Sequence, residues 1–338
     1  MAKIVLGLAT SHGPLLSAPP EQWGERAKAD RANKALWYHG AIHGFDALEA
    51  MRADEDLPHK SSLEERQARY ARCRRALDTL AAMFEQARPD AVVIVGNDQQ
   101  EVFGFGNMPA FAIYHGESVV NRPPSEQQMA QMPPGVAASV FGHRPHSEIR
   151  YPCAADLAKH VIGHMVAAEF DVAQSNALPQ DGEGWSRGGL PHAFGFVLRQ
   201  IMQDRPVPHI PVLINTFYPP NQPTARRCYR FGSSLADAVA SWPEDLRVAV
   251  IASGGLSHFV VDEDLDERFL AALRSGDADA LGGIPEAFLQ SGNSEMKNWI
   301  ATAAAVQRAG LRMELVDYVP CYRSLAGTGN AMGFVRWH

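Results

Sequence analysis

The sequence is poor in cysteine and lacks any long apolar run. Its four cysteines are spread over 338 residues and form no C-x-x-C pair. We therefore expect free thiols in a reducing compartment and no disulfide framework. The apolar part of the opening MAKIVLGLATSHGP is too short for a signal peptide, and no later run approaches the length of a membrane span. These absences predict a cytoplasmic protein that does not enter a membrane.

Basic blocks, internal repeats and low-complexity segments are also absent. The formal net charge is -7, and no cluster of lysine and arginine offers a binding surface for phosphates. We therefore expect no nucleic-acid partner. A glycine-rich stretch at 182–189 lacks the lysine and the following serine or threonine of a phosphate-binding loop, so we assign it no nucleotide role. With 46% hydrophobic residues, the chain can bury a large core.

Two short apolar segments each lead into a turn that contains a serine and a histidine. Residues 247–252 (RVAVIA) are long enough for one buried strand, and Ser253-Gly254-Gly255 and Ser257-His258 follow them. Residues 3–9 (KIVLGLA) lead in the same way to Ser11-His12. Open α/β sheets place ligands beyond the carboxyl ends of their strands. The two imidazoles therefore share one edge of a sheet if these strands are parallel neighbours.

Further polar residues lie at predicted strand ends and helix starts. The strand at 91–95 (AVVIV) leads into side-chain oxygens at 97–101, which suit a polar site or an ordinary Asx turn. His192 lies at the head of a helix. Glu295 lies in the first turn of another helix, where an acid also stabilises the helix dipole.

Helical and strand segments alternate along the chain, which predicts one α/β domain over residues 1–338. We expect a central, mainly parallel or mixed sheet flanked by helices. Ser62 and Glu65 form the start signal of an amphipathic helix that ends near Pro89. Two long loop insertions, at about 17–60 and 117–151, interrupt the pattern; loops of such length are often functional. The aromatic residues of the first insertion predict the surface of a homodimer or another homo-oligomer.

The candidate site combines histidines with a carboxylate. Two imidazoles and one carboxylate on one face, with open coordination positions, form the ligand set that non-haem Fe(II) uses to activate dioxygen. Additional imidazoles that do not bind the metal can take a proton from the substrate and return it. A zinc hydrolase can use the same residues to activate water, and the sequence pattern does not separate these functions. The residues that can converge are His12, His192, His258, Glu295 and the cluster at 97–101.

Several motifs resemble the class III extradiol ring-cleaving dioxygenases, the family of the protocatechuate 4,5-dioxygenase catalytic subunit. They are Ser11-His12-Gly13-Pro14, Gly254-Gly255-Leu256-Ser257-His258, Ser294-Glu295 with Trp299, and the closing segment 326–333. The segments DRANKALWYHG, VGNDQQEVF, PHAFGFV and NTFYPPNQPTARRCYRFG are most similar to the 3-O-methylgallate dioxygenase branch. The resemblance implies Fe(II) as cofactor, O2 and a catechol as substrates, and a role in the catabolism of aromatic compounds, including lignin-derived ones.

The resemblance also implies roles for individual residues. His12 and Glu295 match iron ligands, and His258 matches the acid–base histidine beside the metal. His192 matches a further catalytic histidine close to the substrate. Near the end of the chain, family members bind the ring carboxylate at the positions of Tyr322, Arg323 and Thr328. An arginine there either holds that carboxylate through two parallel hydrogen bonds or forms a surface ion pair.

One position departs from the family pattern. In the protocatechuate enzymes an iron-binding histidine follows an Asn-Asp pair, whereas Gln99 follows Asn97-Asp98 here. We predict that Gln99 binds the metal through its amide oxygen, because it occupies the matching position. The alternatives are His59, folding over from the first insertion, or a carboxylate of Glu101 or Asp98.

The expected reaction is extradiol cleavage of a carboxylated catechol such as 3-O-methylgallate, gallate or protocatechuate. An imidazole of His258 or His192 would take the hydroxyl proton of the substrate. The departure at Gln99 motivates an alternative, a metal-poor homologue that serves as a structural or binding subunit. A zinc hydrolase on the same fold is a second alternative.

Overall fold

The computed structural model describes residues 1–178 and 190–338, so the glycine-rich stretch at 182–189 lies outside the described residues. In chain order the strands are β1 (Lys3–Thr10), β2 (Leu36–Tyr38), β3 (Ala41–His43), β4 (Ala91–Asn97), β5 (Phe111–Tyr114), β6 (Ser118–Asn121), β7 (Ile149–Pro152), β8 (Ala173–Ser175), β9 (His209–Ile214), β10 (Arg247–Ser253), β11 (His258–Val260), β12 (Met313–Tyr322) and β13 (Thr328–Trp337).

The α-helices are α1 (Trp23–Ala32), α2 (Phe45–Met51), α3 (Leu57–Lys60), α4 (Leu63–Ala87), α5 (Glu126–Gln131), α6 (Pro134–Ala137), α7 (Ala155–Ala167), α8 (His192–Phe196), α9 (Ala225–Ala240), α10 (Glu263–Ser275), α11 (Ala278–Gly282) and α12 (Met296–Arg308). Short 3-10 helices span Pro14–Leu16, Pro20–Gln22, Val140–Gly142, Glu286–Phe288 and Ser291–Glu295, and a π-helix at Val197–Ile201 continues α8. Within the described ranges, no helix combines the length and apolar character needed to cross a membrane.

Nine strands form one mixed sheet in the order β11-β13-β1-β10-β4-β9-β5-β8, with β12 paired to β13 as well. The neighbours β1, β10, β4 and β9 run parallel. Strand β13 runs antiparallel to β1, β11 and β12, and β5 runs antiparallel to β9. The sheet and its helices confirm the predicted α/β class. The parallel strands at its centre end at a common edge.

The apolar runs become buried strands because helices cover both faces of the sheet. Side chains alternate along a strand, and in β4 they divide between two core clusters. Val93 and Val95 pack in the cluster that includes α9 and α12. Val92 and Ile94 pack in the cluster that includes Leu80 of α4. Burial of each such side chain contributes about 1.5–3 kcal/mol.

The predicted helix start at Ser62 is confirmed, since its side chain accepts a hydrogen bond from the backbone N–H of Glu65 at the start of α4. Near the end of the chain, β12 and β13 form an antiparallel pair that includes most of the closing segment 326–333. The two insertions hold short elements, with α1 and the β2–β3 hairpin in the first and α5 and α6 in the second.

Candidate functional site

The site lies at the carboxyl ends of β1, β10 and β4, which are neighbours in the sheet. Thr10, the last residue of β1, pairs with Ser253, the last residue of β10. The chain segments that follow these strands therefore start side by side. His12 comes from the first segment and the Gly254-Gly255 turn from the second, as the sequence predicted.

His12 is held in one tautomer by a chain of hydrogen bonds. The hydroxyl of Ser253 donates to the backbone carbonyl of Ala193 (2.6 Å). Its oxygen therefore accepts from Nδ1–H of His12, at 2.9 Å. When the ring is neutral, Nε2 carries no proton and its lone pair points into the site. An outer hydrogen bond of this kind is typical of a metal-binding histidine.

His192, the first residue of α8, is oriented in the same way by a carboxylate. Glu101 accepts from Nδ1 of His192 (2.8 Å) and from its backbone N–H (2.8 Å). Nε2 of His192 then lies 3.2 Å from Nε2 of His12. Burial opposes the charged imidazole, but the Glu101 carboxylate outweighs it and raises the pKa of His192 to about 9.

Glu295 completes the group from the start of α12, where it is buried. Its Oε1 accepts from the amides of Asn97 and Gln99, each at 3.1 Å. Its Oε2 accepts from the backbone N–H of Gly255 at 2.6 Å and lies 3.3 Å from Nε2 of His12. Burial alone would raise the pKa of Glu295, but His12 and His258 lower it well below its usual range.

These contacts produce a cluster that can hold a metal ion. Ligand atoms of His12, His192 and Glu295 lie within 4.8 Å of one another. If both imidazoles were neutral, their two unprotonated nitrogens and the carboxylate oxygen would repel each other unless they shared a cation. Metal binding to histidine displaces a proton, so an ion can take the place of the proton that His192 holds. The donor set, two nitrogens and one oxygen, fits a transition metal ion.

His258 lies beside this cluster. Its Nδ1 is 2.8 Å from the backbone carbonyl of Leu256, which can only accept, so Nδ1 carries the proton. Its Nε2 is therefore a free acceptor in the neutral ring and lies 3.6 Å from Glu295 Oε2. Burial lowers the pKa of His258, which favours the neutral form. A Cβ on Gly255 would lie 2.5 Å from Nδ1 of His258, so the turn needs glycine there.

A cavity of about 360 Å³ opens beside the cluster. This volume lies near the lower end of the range for small-molecule sites, about 300–1,000 Å³. The three residues of the cluster (His12, His192 and Glu295) and His258 line one part of it, and Phe196 adds an apolar surface. The two insertions supply much of the remaining wall: Ser17, Arg26, Met132, Val136, Ser139, Val140, His143 and Arg144.

The residues considered for the missing ligand lie in different places. Gln99 lines the cavity and donates from its amide nitrogen to Glu295. Asp98 caps a turn, because its carboxylate accepts from the backbone N–H groups of residues 101, 102 and 103. Glu101 holds His192. His59 is exposed on α3, where its nearest charged partner is Asp56 at 4.0 Å, and it does not line the cavity.

The residues predicted to bind the carboxylate lie away from the cavity wall. Arg323 is fully buried and donates through Nε (2.6 Å) and Nη2 (2.8 Å) to Asp30. Thr328 donates to the same carboxylate at 2.7 Å. Tyr322 donates to Glu263 at 2.5 Å. These contacts occupy all three side chains, and none of the three lines the cavity, so substrate binding by them stays a prediction.

Sequence reasoning missed four residues of the site. Arg26, His143 and Arg144 line the cavity, and Ser253 orients His12. Ser253 could have been found as the last residue of a strand that ends at the predicted site. The other three lie in insertions without a periodic pattern, and no sequence signal marks them.

Comparison with known proteins gives a family for this arrangement. The model of the catalytic LigB subunit of aromatic ring-opening dioxygenase matches residues 57–329, which is more than half of the chain. Gallate dioxygenase of Pseudomonas putida is 35% identical over 112 residues, 32% of this chain and 30% of that protein. The 2,3-dihydroxyphenylpropionate/2,3-dihydroxicinnamic acid 1,2-dioxygenase of Mycobacterium ulcerans is 33% identical over 183 residues, 53% of this chain and 47% of that protein.

The protein of the same name from Cupriavidus necator is 28% identical over 170 residues, 50% of this chain and 44% of that protein. The chain thus spans less than half the length of these curated relatives. The match to the family model is independent of them and agrees with the resemblance found in the sequence motifs. The chain belongs to the family of the catalytic LigB subunit of aromatic ring-opening dioxygenases.

Proposed function

We propose that this protein is an Fe(II)-dependent extradiol dioxygenase that cleaves the ring of a carboxylated catechol. The observation that carries the proposal is the convergence of His12, His192 and Glu295, with His258 beside them and outside the ligand set. Two histidines and one carboxylate with open positions are the ligands of non-haem Fe(II) oxygenases. Membership of the ring-opening family supports the same reading.

In this proposal His192 provides the second nitrogen ligand and Gln99 does not bind the metal. Nε2 of His192 is 3.2 Å from Nε2 of His12, and Glu101 holds the ring in the tautomer that a ligand needs. Gln99 instead holds Glu295 in place through its amide nitrogen. An amide oxygen is also a weaker donor to Fe(II) than an imidazole nitrogen. His192 therefore replaces the histidine that the family pattern has at the position of Gln99.

Bound Fe(II) would supply the one-electron chemistry by which O2 reacts with the ring, and both oxygen atoms enter the opened product. The chain keeps the ligands in place before substrate arrives. Ser253 fixes His12, Glu101 fixes His192, and three N–H donors fix Glu295. Such prior orientation removes the need for reorganisation during the reaction.

His258 acts as the general base and later as the general acid. Its Nδ1 proton is committed to the carbonyl of Leu256, so Nε2 can accept the hydroxyl proton of the catechol. The same nitrogen returns the proton as the ring opens. General acid–base catalysis of this kind accelerates a reaction about 10²–10⁴-fold. His192, in contrast, has both ring nitrogens occupied and is not available for this role.

Anaerobic loading with Fe(II), followed by O2 uptake with 3-O-methylgallate, gallate and protocatechuate, tests the proposal. We expect one O2 consumed per ring opened for at least one of these acids, and no turnover after zinc replaces iron. Iron binding without O2 uptake on any of them would contradict the proposal and favour a binding subunit. Ester hydrolysis by the zinc-loaded protein without O2 would favour a hydrolase.

A further inference from the structure

Arg26 places a positive charge on the cavity wall and has no ion-pair partner among the described residues. It belongs to α1 in the first insertion, before residue 57 where the match to the family model begins. Its side chain is partly buried and lines the cavity together with Ser17 and Met132. Within the described residues, its guanidinium forms neither a hydrogen bond nor an ion pair. A charge left in this state favours an anionic ligand.

Asp30, the acid whose charge attracts Arg26, is already engaged by other side chains. Its two oxygens accept three hydrogen bonds, two from Arg323 and one from Thr328. Asp30 therefore balances the charge of Arg323, and the charge of Arg26 remains in excess. Burial, followed by repulsion from Arg323, lowers the pKa of Arg26 to about 10 despite the attraction of Asp30. With this pKa the guanidinium is still charged at neutral pH.

The acids of the cavity do not compensate Arg26 either. Glu101 is engaged twice by His192, and Glu295 is engaged by Gly255, by two amides and by the histidines. A second cation, Arg144, also lines the cavity and is buried. The only hydrogen bond of its side chain within the described residues is a long one, 3.4 Å from Nη1 to the side-chain oxygen of Gln128. The wall thus carries two cations. Its acids contact the residues of the candidate metal site, which we call the metal cluster (His12, His192 and Glu295).

The side chain of Arg26 is packed, so its charge has a defined position. Its methylene groups lie against the backbone of α6, where a Cβ on Gly135 would be 2.2 Å from Cγ of Arg26. A guanidinium presents donors in a planar fork that matches a carboxylate. The cavity of about 360 Å³, which Arg26 lines together with His12, His192 and Glu295, has room for a single aromatic ring.

We propose that Arg26 recognises the substrate by binding its ring carboxylate, with Arg144 as a second cation on the same wall. This assignment rests on the proposed function and names the residue that selects acids over neutral catechols. It replaces Arg323, whose fork is occupied by Asp30.

The test compares an acid with its methyl ester, which keeps the ring and loses the charge. Arg26→Met removes the guanidinium and keeps an unbranched stem. In the Fe(II)-loaded enzyme we expect KM for protocatechuate to rise about 10- to 100-fold, the range for loss of a charged hydrogen bond. KM for methyl protocatechuate should change little. Arg26→Lys, which keeps a point charge, should lie between. The control is Arg31→Met on the same helix, where Arg31 pairs with Asp46 and Glu49.

A binding measurement separates this assignment from the reaction. Anaerobic calorimetry with 4-hydroxybenzoate, a carboxylate that lacks the second hydroxyl, should show a matching loss of affinity in Arg26→Met. Gly135→Ala keeps the charge and displaces the stem, so it should weaken the same affinity. Equal binding of 4-hydroxybenzoate by wild type and Arg26→Met would overturn the assignment. So would a loss of the preference for acids that occurs in Arg144→Met but not in Arg26→Met. Absence of O2 uptake in iron-loaded wild type would refute the proposed function, and calorimetry would still decide the role of Arg26.

Discussion

The metal cluster and the insertion wall border the same cavity but differ in how their polar groups are satisfied. In the metal cluster (His12, His192 and Glu295), each side chain has an outer partner that fixes its orientation. On the insertion wall (Arg26, His143 and Arg144), the side chains have few partners and Arg26 has none within the described residues. Side chains whose hydrogen-bonding groups all have partners keep the fixed geometry that a reaction needs. Charged side chains that lack partners can gain favourable interactions when a ligand binds.

Arg323 and Arg26 show the same contrast between two identical side chains. Asp30 and Asn330 occupy the guanidinium of Arg323, which is fully buried. Arg26 lies close enough for its charge to be repelled by Arg323, yet it borders the cavity. The sequence resemblance pointed to Arg323 for the carboxylate. The partners that each arginine has in the fold lead us to propose Arg26 instead.

The largest expected effect is on turnover when His258 is changed. His258→Gln removes the imidazole base, and we expect kcat to fall about 10²–10⁴-fold with little loss of bound iron. The measurement is O2 uptake together with the iron content of the same sample. His59→Ala is the control, because His59 is exposed on α3 and should leave both values unchanged. Loss of iron in parallel with activity would mean that His258 is a ligand.

A second prediction separates the two arginines by stability. Arg323→Met leaves Asp30 buried without its main partner, and breaking a buried ion pair costs about 3–5 kcal/mol. Arg26→Met breaks no ion pair within the described residues, so it should change the free energy of unfolding far less. Denaturant titration of both variants measures the difference. Equal destabilisation would show that Arg26 has a structural role.

A third prediction concerns the outer partner of His192. Glu101→Gln keeps the size of the side chain and removes the charge that orients the imidazole. Loss of such a partner typically weakens metal affinity about 10- to 100-fold. Anaerobic Fe(II) titration against a competing chelator measures the change. Unaltered affinity would show that His192 is not held for metal binding.

The sequence predicted the parts of the molecule that depend on local pattern. The apolar runs of β1, β4 and β10 are unbroken, and each is a strand. The side chain of Ser62 caps α4 as expected. Strand β13 was harder, because it contains glycines that close packing requires; a Cβ on Gly333 would lie 2.8 Å from Leu256. From the sequence alone, a segment that contains several glycines resembles a turn more than a strand.

The candidate site likewise has some residues that the local sequence pattern predicts and others that only the packing of the fold brings together. His12, His258 and Glu295 follow strands or begin a helix, so their common edge could be inferred. The approach of His192 to His12 joins positions 180 residues apart and depends on the packing of α8 against the sheet. Arg26 reaches the cavity only because α1 folds back over it. The sequence holds no periodic signal for either contact.

The most direct test of the account is anaerobic Fe(II) binding by His192→Ala and Gln99→Ala, measured side by side with wild type. The account predicts that His192→Ala loses stoichiometric iron, since it removes one of three ligands. Gln99→Ala should still bind one iron, with a modest loss of affinity from the missing hydrogen bond to Glu295. Full iron in His192→Ala together with loss of iron in Gln99→Ala would contradict the proposed metal site.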